Sequence, residues 1–491
     1  MGHFVSIGSY RLFPDNRYPR CLPASLGGPE RPCSWLLPYG NLALHEGRTP
    51  APSRDGTPRL HHVPGRTATL TLIRFGGIPG HNDDPSAPPR KSGGLLPGVG
   101  SWFHLSHLGG VMSHYATPMM EVPDMIVESG GRTLDLCFQC GTCSGTCPWN
   151  LVRDFRVRDI LTRAQLGLEG YEGEDLWMCA TCNACVDRCP QGVEIVDLVR
   201  TIRMLIAETG AAPKTLRAVL GSVQSNGNPW SGDRNARMAW VKDQPVRTFD
   251  GTHEYAYFTC CTQAYDPRNA KVVRAAVRVL DAGGVSYGFV GGSEACCGDA
   301  VRKTGAETNF QNLAAHNVGL LNGLGVKHLL VPSPHCLNTF RKEYPELGGK
   351  WQVTHVVELL ADLVMSGRLA LKNAVPLKTI YHDPCYLGRN NGIYDAPRDV
   401  LRAVPGLELM EFGHTREEAV CCGGGGGRLW METPVEERFA VLKLREAQAR
   451  GADAVVTACP YCISMFEDAK TALGLDQLQV LDVVEVVAAA L

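Results

Sequence analysis

Residues 419–430 read AVCCGGGGGRLW. A glycine run behind an apolar stretch suggests a nucleotide loop, yet two adjacent thiols, Cys421 and Cys422, stand at its mouth. A phosphate loop needs GxxxxGK[ST], and here Arg428, Leu429 and Trp430 follow the last glycine. A dinucleotide fingerprint needs GxGxxG, and counting from Gly423 puts Arg428 in the final glycine position. GGVSYGFVGG (283–292) and LNGLGVKH (321–328) fail the same spacing, so bound flavin or NAD has no motif. The cysteine pair recurs in ACCGDA (295–300), and that recurrence decides the fold.

Cys385, Cys421, Cys422 and Cys462 mirror Cys261, Cys296, Cys297 and Cys336 at offsets of about 125 residues, a duplicated unit. From about Tyr255 to Leu491 strand-like and helix-like stretches alternate. EYAYF, VSYGFV, VKHLLV, KTIY, LELMEF and ADAVV read as strands, with KVVRAAVRVLDAG and RFAVLKLREAQARG as helices between them. The alternation predicts parallel sheets with helical crossovers. In both units the cysteines follow predicted strands, at the carboxyl edge where open α/β sheets bind ligands.

Before this half lies a segment with eight cysteines. LCFQCGTCSGTCPWN carries Cys137, Cys140, Cys143 and Cys147, and MCATCNACVDRCPQG carries Cys179, Cys182, Cys185 and Cys189. Both are C-x2-C-x2-C-x3-C-P, a spacing that holds [4Fe–4S] clusters. Three closely spaced thiolates wrap one face of a cube, and the fourth leaves toward the neighbouring cluster. Cys137, Cys140, Cys143 and Cys189 are therefore assigned to one cluster, and Cys179, Cys182, Cys185 and Cys147 to the other. Zinc, which four cysteines also bind, is the alternative. Val152 to Leu166 reads as a helix whose Arg153, Arg156, Arg158 and Arg163 form either a solvated face or a dock for an acidic redox partner. Val193, Val196, Val199, Ile202 and Ile206 line one face of a further helix, which Gly210 ends.

With 491 residues, 44% of them hydrophobic, the chain is ordinary globular material, and its net charge of −2 makes no case for nucleic acid or an anionic membrane surface. It has no stretch of ~18 uncharged apolar residues, so a membrane connection would need a second protein. The 20 cysteines cluster at metal-ligand spacing, and no secretory signal is apparent. The expected location is cytoplasmic, peripheral on the inner face of the membrane through a partner. Residues 1–118 hold 16 of the 32 prolines. They are expected to be disordered and outside the working protein, with translation starting at Met112, Met119 or Met120. The domains expected after them are a helical segment (122–210), a linker (211–254) and two repeats (255–372 and 373–491).

In the second repeat Cys385, Cys421, Cys422, Cys459 and Cys462 are spaced C-x35-CC-x36-C-x2-C. Five thiolates are one too many for a simple cubane or a four-ligand zinc site. YHDPCYLGR, AVCCGGGGGRLW and ACPYC resemble the cysteine-rich CCG domain of heterodisulfide reductases. With the eight-cysteine segment, residues from Val122 to Leu491 resemble the D-type polypeptides of these enzymes and their relatives. Among those are the iron–sulfur component of sulfite-reduction-associated complexes and ETF:quinone-type iron–sulfur oxidoreductases. The iron–sulfur components of glycolate oxidase and glycerol-3-phosphate dehydrogenase share the layout but usually carry histidine after the motif cysteine, so Tyr386 favours the heterodisulfide branch.

The resemblance implies an α+β multidomain protein, in which an all-helical ferredoxin-like domain with two [4Fe–4S] clusters precedes a duplicated α/β CCG domain. It implies a noncubane [4Fe–4S] cluster on Cys385, Cys421, Cys422, Cys459 and Cys462 that reduces a disulfide or related sulfur substrate. An electron-transfer module between a flavoprotein such as ETF and a quinone pool is the alternative function. A membrane cytochrome b-type protein or a flavoprotein is the expected redox partner. In the first repeat SPHC places Ser333 where the second has Cys459. Cys261, Cys296, Cys297 and Cys336 then hold either a further cluster or a structural remnant. Cys260 reads as a bystander, and Cys21 and Cys33 are expected to bind nothing. His382 is a candidate proton donor to a product thiolate, whereas Asp383, His335 and Arg389 more readily pack or bond backbone beside the cysteines. Glycine permits positive φ and close approach, so the five-glycine loop marks the second repeat as catalytic.

Overall fold

The computed structural model describes residues 117–242 and 244–491. The expectations for residues 1–116, including Cys21, Cys33 and a start at Met112, lie outside the described residues. Short helices and turns run from Glu121 to Asn226, the longest being Ile195–Glu208 and Lys214–Asn226. Ile195–Glu208 buries Ile195, Leu198, Val199 and Ile202 along one stripe, and Gly210 beyond it takes φ +78°, the left-handed stop that glycine supplies at least cost. The helix expected from Val152 begins only at Val157 and ends at Gln165. Asn150 explains the delay: its side chain accepts from Phe155 N at 3.2 Å and donates to Phe155 O at 2.7 Å, which turns the chain before a helix can form.

From Tyr255 onward the chain builds two four-stranded parallel sheets. The first contains β1 (Tyr255–Tyr257), β2 (Tyr287–Phe289), β3 (His328–Val331) and β4 (Gln352–His355) in the order β2-β1-β3-β4. The second repeats it with β5 (Lys378–Tyr381), β6 (Glu408–Glu411), β7 (Ala454–Thr457) and β8 (Gln479–Asp482) in the order β6-β5-β7-β8. The central strands are buried on both faces, as parallel strands covered by helices must be. Leu329, Leu330, Ala454, Val455 and Val456 are all fully buried. The six expected strands are present. The two edge strands β4 and β8 are additional: each has four residues with only two buried, and each runs straight into a helix. A capping box marks both junctions, His355 with Glu358 and Asp482 with Glu485.

The repeats pack reciprocally. Helix Ala270–Ala282 of the first lies against Val483–Ala489 of the second, and Val356–Met365 of the first against Asp395–Arg402 of the second. Each early helix thus meets the other repeat's last one, an approximate two-fold relation. His335 sits at its centre, 4.3 Å from its own counterpart Tyr461 and stacked at 3.9 Å on Tyr386.

Candidate functional site

The structure places the fourth cysteine of each C-x2-C-x2-C-x3-C-P run beside the other run's first three. Cys147 lines a cavity with Cys179, Cys182 and Cys185, and Cys189 lines another with Cys137, Cys140 and Cys143. Between the cysteines the backbone coils tightly: Gln139, Thr181 and Asn183 all hold φ between +50° and +64°. Left-handed backbone is costly for a β-branched residue such as Thr181. It turns main-chain donors inward, so Thr181 N reaches Cys179 Sγ at 3.4 Å.

In the second repeat Cys385 follows β5, Cys421 and Cys422 follow β6, and Cys459 and Cys462 follow β7. The β5–β6 connection runs to one side of β5 and the β6–β7 connection returns to its other side, so these loops converge at the crevice of a topological switch point. The five thiols form one chain of neighbours. Cys385 lies 3.8 Å from Cys421, Cys421 contacts Cys422, Cys462 lies 3.3 Å from Cys422, and Cys459 contacts Cys462. All five are at most 6% exposed. Burial raises the Cys459 thiol, but hydrogen bonds from Cys462 and His335 outweigh it and bring the pKa down to about 6.

The residues next to these cysteines have distinct surroundings. His382 is buried between Phe412 and Phe466, and its ring nitrogens have no hydrogen-bond partner. One of them lies within 4.8 Å of the Cys422 and Cys462 sulfurs, and burial lowers its pKa. Asp383 faces away, paired with buried Arg398 at 2.7 Å. His335 reaches across from the first repeat to Cys459 while Asp299 holds its Nδ1 at 2.7 Å. Burial works against the imidazolium, yet Asp299 prevails and raises the pKa to about 10.

The second repeat docks directly on the eight-cysteine segment. Arg389 Nε donates to Cys182 O at 2.7 Å, Thr181 and Tyr386 hydroxyls share a hydrogen bond at 2.9 Å, and Asn183 donates to Asn390 at 2.8 Å. Cys182 itself neighbours Cys421. The five-glycine loop makes this approach feasible. A Cβ on Gly425 would lie 2.3 Å from Ala180 O, and one on Gly426 2.4 Å from Cys179 O. Neither is a distance a side chain can survive, so the glycines serve close contact between two cysteine loops. Arg203, fully buried, ties the junction by donating to the carbonyls of Leu176, Cys179, Lys303 and Gly426 at 2.7–3.2 Å. The basic run behaves differently: Arg153 pairs with Glu437 of the second repeat, and Arg156 with its neighbour Asp154.

The first repeat arranges its thiols in the same order. Cys261 contacts Cys296, Cys296 contacts Cys297, and Cys297 contacts Cys336. Cys260, a bystander by its place in the sequence, is not one in space: its thiol meets Cys336 and the Ser333 hydroxyl. Arg237, within the expected linker, donates to Cys261 Sγ at 3.3 Å and pairs with Glu294 at 3.1 Å. Burial raises the Glu294 pKa to about 7 against the pull of Arg237. Sequence reading missed Arg203 and Arg237 because their partners are remote in the chain, and an arginine among apolar residues was the one faint signal.

Soft thiolates converging in buried sets beyond what zinc needs suit iron–sulfur ligation. The comparisons agree. Residues 255–341 and 379–467 match the Cysteine-rich domain (CCG) family, and residues 133–193 match the 4Fe-4S dicluster domain. Fold and cysteine loops together thus define an iron–sulfur protein. The D-type polypeptide of the dihydromethanophenazine:CoB–CoM heterodisulfide reductase of Methanosarcina barkeri is 30% identical over 73% of this chain and 94% of its own length. The EtfAB:quinone oxidoreductase of Syntrophomonas wolfei is 36% identical over 64% of this chain. A probable iron-sulfur-binding oxidoreductase, FadF, of Bacillus subtilis is 34% identical over 64% of it. The chain spans 46% of the length of each of these last two. It belongs to the family of iron–sulfur oxidoreductases typified by the D-type polypeptide of heterodisulfide reductase. No described helix is long and apolar enough to cross a membrane.

Proposed function

We propose that this chain is the oxidoreductase component of a complex and passes electrons between two [4Fe–4S] clusters and a noncubane cluster in the second repeat, where a disulfide or related sulfur substrate is reduced. Cys137, Cys140, Cys143 and Cys189 hold one cubane of an all-helical ferredoxin-like domain, and Cys147, Cys179, Cys182 and Cys185 the other. Cys385, Cys421, Cys422, Cys459 and Cys462 hold the third cluster. The observation that carries this reading is the contact of Cys182 with Cys421, clamped by Arg389 and Arg203. Bound clusters supply one-electron steps at these positions. The protein's part is to exclude water from the thiolates and to hold the two cysteine loops against each other. Disulfide reduction also consumes two protons, and His382 is the residue proposed to deliver one beside Cys422 and Cys462.

Electron transfer from a flavoprotein such as ETF to a quinone pool is the second reading, and the Syntrophomonas relative favours it by name. Substrate chemistry is favoured by a cavity of about 470 Å³ lined by Trp230, Trp430, Met465 and Arg428. Met465 also packs on Gly423 and Gly424, beside Cys422, so this cavity approaches the second repeat's thiols. The partner is proposed to be a membrane cytochrome b-type protein or a flavoprotein, with the complex on the cytoplasmic side. Anaerobic purification with iron counting and EPR, with and without 2-mercaptoethanol as a thiol probe, tests the proposal. More than about 8 Fe per chain and a thiol-induced signal lost in Cys422→Ala are expected. About 8 Fe and no thiol response would overturn it.

A further inference from the structure

The two repeats differ in where their fifth thiol stands. In the second, Cys459 follows β7 and residue 384, just before Cys385, is a proline. In the first, Ser333 takes the place of Cys459, and Cys260 takes the place of Pro384. The strand register explains how one exchange offsets the other. Ala256 pairs with Leu329 and Tyr257 with Leu330, so continuing three residues beyond the pairs sets Cys260 opposite Ser333. In the second sheet Thr379 pairs with Ala454 and Tyr381 with Val456, which sets Pro384 opposite Cys459. The thiol has moved one strand across at the same level, a step of about 4.8 Å between neighbouring strands.

The side chains bear this out. Cys260 meets Cys336 and Ser333, as Cys459 meets Cys462. The resulting order, Cys260, Cys336, Cys297, Cys296 and Cys261, reproduces that of Cys459, Cys462, Cys422, Cys421 and Cys385. All five first-repeat thiols are at most 5% exposed, and Ser333 beside Cys260 is fully buried. A cation stands at the equivalent cysteine of each set, buried Arg237 on Cys261 and half-buried Arg389 beside Cys385.

We infer that the first repeat is a fourth iron–sulfur site with a complete set of five thiolates, Cys260 supplying the ligand that the serine at 333 has lost. Five soft donors in one buried chain exceed what zinc takes and match the set in the second repeat. The inference rests on the iron–sulfur reading of the family but not on disulfide chemistry or on the second repeat's substrate.

The test is iron content and 57Fe Mössbauer spectra of the full-length protein, purified anaerobically, for wild type, Cys260→Ala, Ser333→Ala and the double variant Cys260→Ala/Ser333→Cys. Wild type is expected to hold about 16 Fe. Cys260→Ala loses up to about 4 of them and changes the first-repeat spectrum, Ser333→Ala changes neither, and the double variant recovers both by returning the thiol to β3. The thiol-induced signal of the second repeat persists throughout and reports that each variant is folded. Wild type at about 12 Fe, or Cys260→Ala with wild-type iron and spectrum, overturns the inference. Loss of iron in Cys260→Ala that the double variant does not recover also overturns the five-thiolate assignment. Absence of a thiol-induced signal in wild type with the iron pattern intact counts against the proposed substrate chemistry alone.

Discussion

The two repeats share strand order, four cysteine positions and capping boxes, yet they leave their double cysteines differently. In the first, Cys297 and Gly298 lead straight into the helix Asp299–Lys303, whose first residue orients His335. In the second, Cys422 opens into five glycines, of which Gly425 and Gly426 lie on the Cys179–Thr181 loop. The helix after the first pair holds His335 and packs on Ile195–Glu208, whereas the glycine loop lies on the cysteine loop itself. Duplication thus supplied two similar thiol sets, and the loop after the cysteine pair decides which one meets the Cys179–Thr181 loop.

The sharpest way to break this asymmetry is Arg203→Met. It strands the carbonyls of Leu176, Cys179, Lys303 and Gly426 without donors, at a cost of about 4 kcal/mol or more. Chemical denaturation should show that loss together with separation of the second repeat from the Cys179 loop by hydrogen exchange. Arg237→Gln comes next, because it leaves Glu294 buried without its cation, and about 3–5 kcal/mol is expected from urea unfolding. Arg398→Gln in the second repeat should cost less, since one of its two carboxylate partners, Glu411, has a 38% exposed side chain.

Gly425→Ala, a smaller change, forces the two loops apart and should cost about 1–3 kcal/mol. Gly292→Ala in the first repeat, where an added Cβ meets nothing within 4 Å, should cost little. A separate contrast is in pH. Burial lowers the His355 pKa to about 3, below about 6.5 in the unfolded chain. The stability it contributes is present above about 6.5 and lost as pH falls toward 3. Burial raises Asp482 to about 8, above about 3.9 unfolded, so its contribution is present below about 3.9 and lost as pH rises through 8. Denaturation midpoints against pH should flatten on the acid side in His355→Asn and on the alkaline side in Asp482→Asn. Each slope is at most on the order of 1 kcal/mol per pH unit, and asparagine keeps the helix cap.

The sheets and the cysteine runs were legible because their signals are local. Strands such as KTIY and HLLV are short apolar blocks, and cluster spacing lies within a dozen residues. The edge strands β4 and β8 were not, since four half-exposed residues running into a helix carry no strand period; only the capping boxes at His355 and Asp482 marked them. The docking of Gly425 on Ala180 and the place of Cys260 opposite Ser333 depend on the packing of segments and on strand register. Neither can be read from neighbours in the chain. Adjacency to Cys261 even misled, because consecutive residues past a strand end point to different neighbours.

The contact of His335 with Tyr461 carries a consequence for the chain's ancestry. In a symmetric dimer of single repeats these two positions would be one residue touching its own copy, and any substitution would appear on both sides at once. Joining the copies in a single polypeptide lifts that restriction. One side could become an imidazolium held by Asp299 and aimed at Cys459, while the other stayed a neutral phenol. Covalent fusion therefore turns a mirror contact into a polarised one, giving the two thiol sets unequal electrostatic surroundings from nearly equal scaffolds.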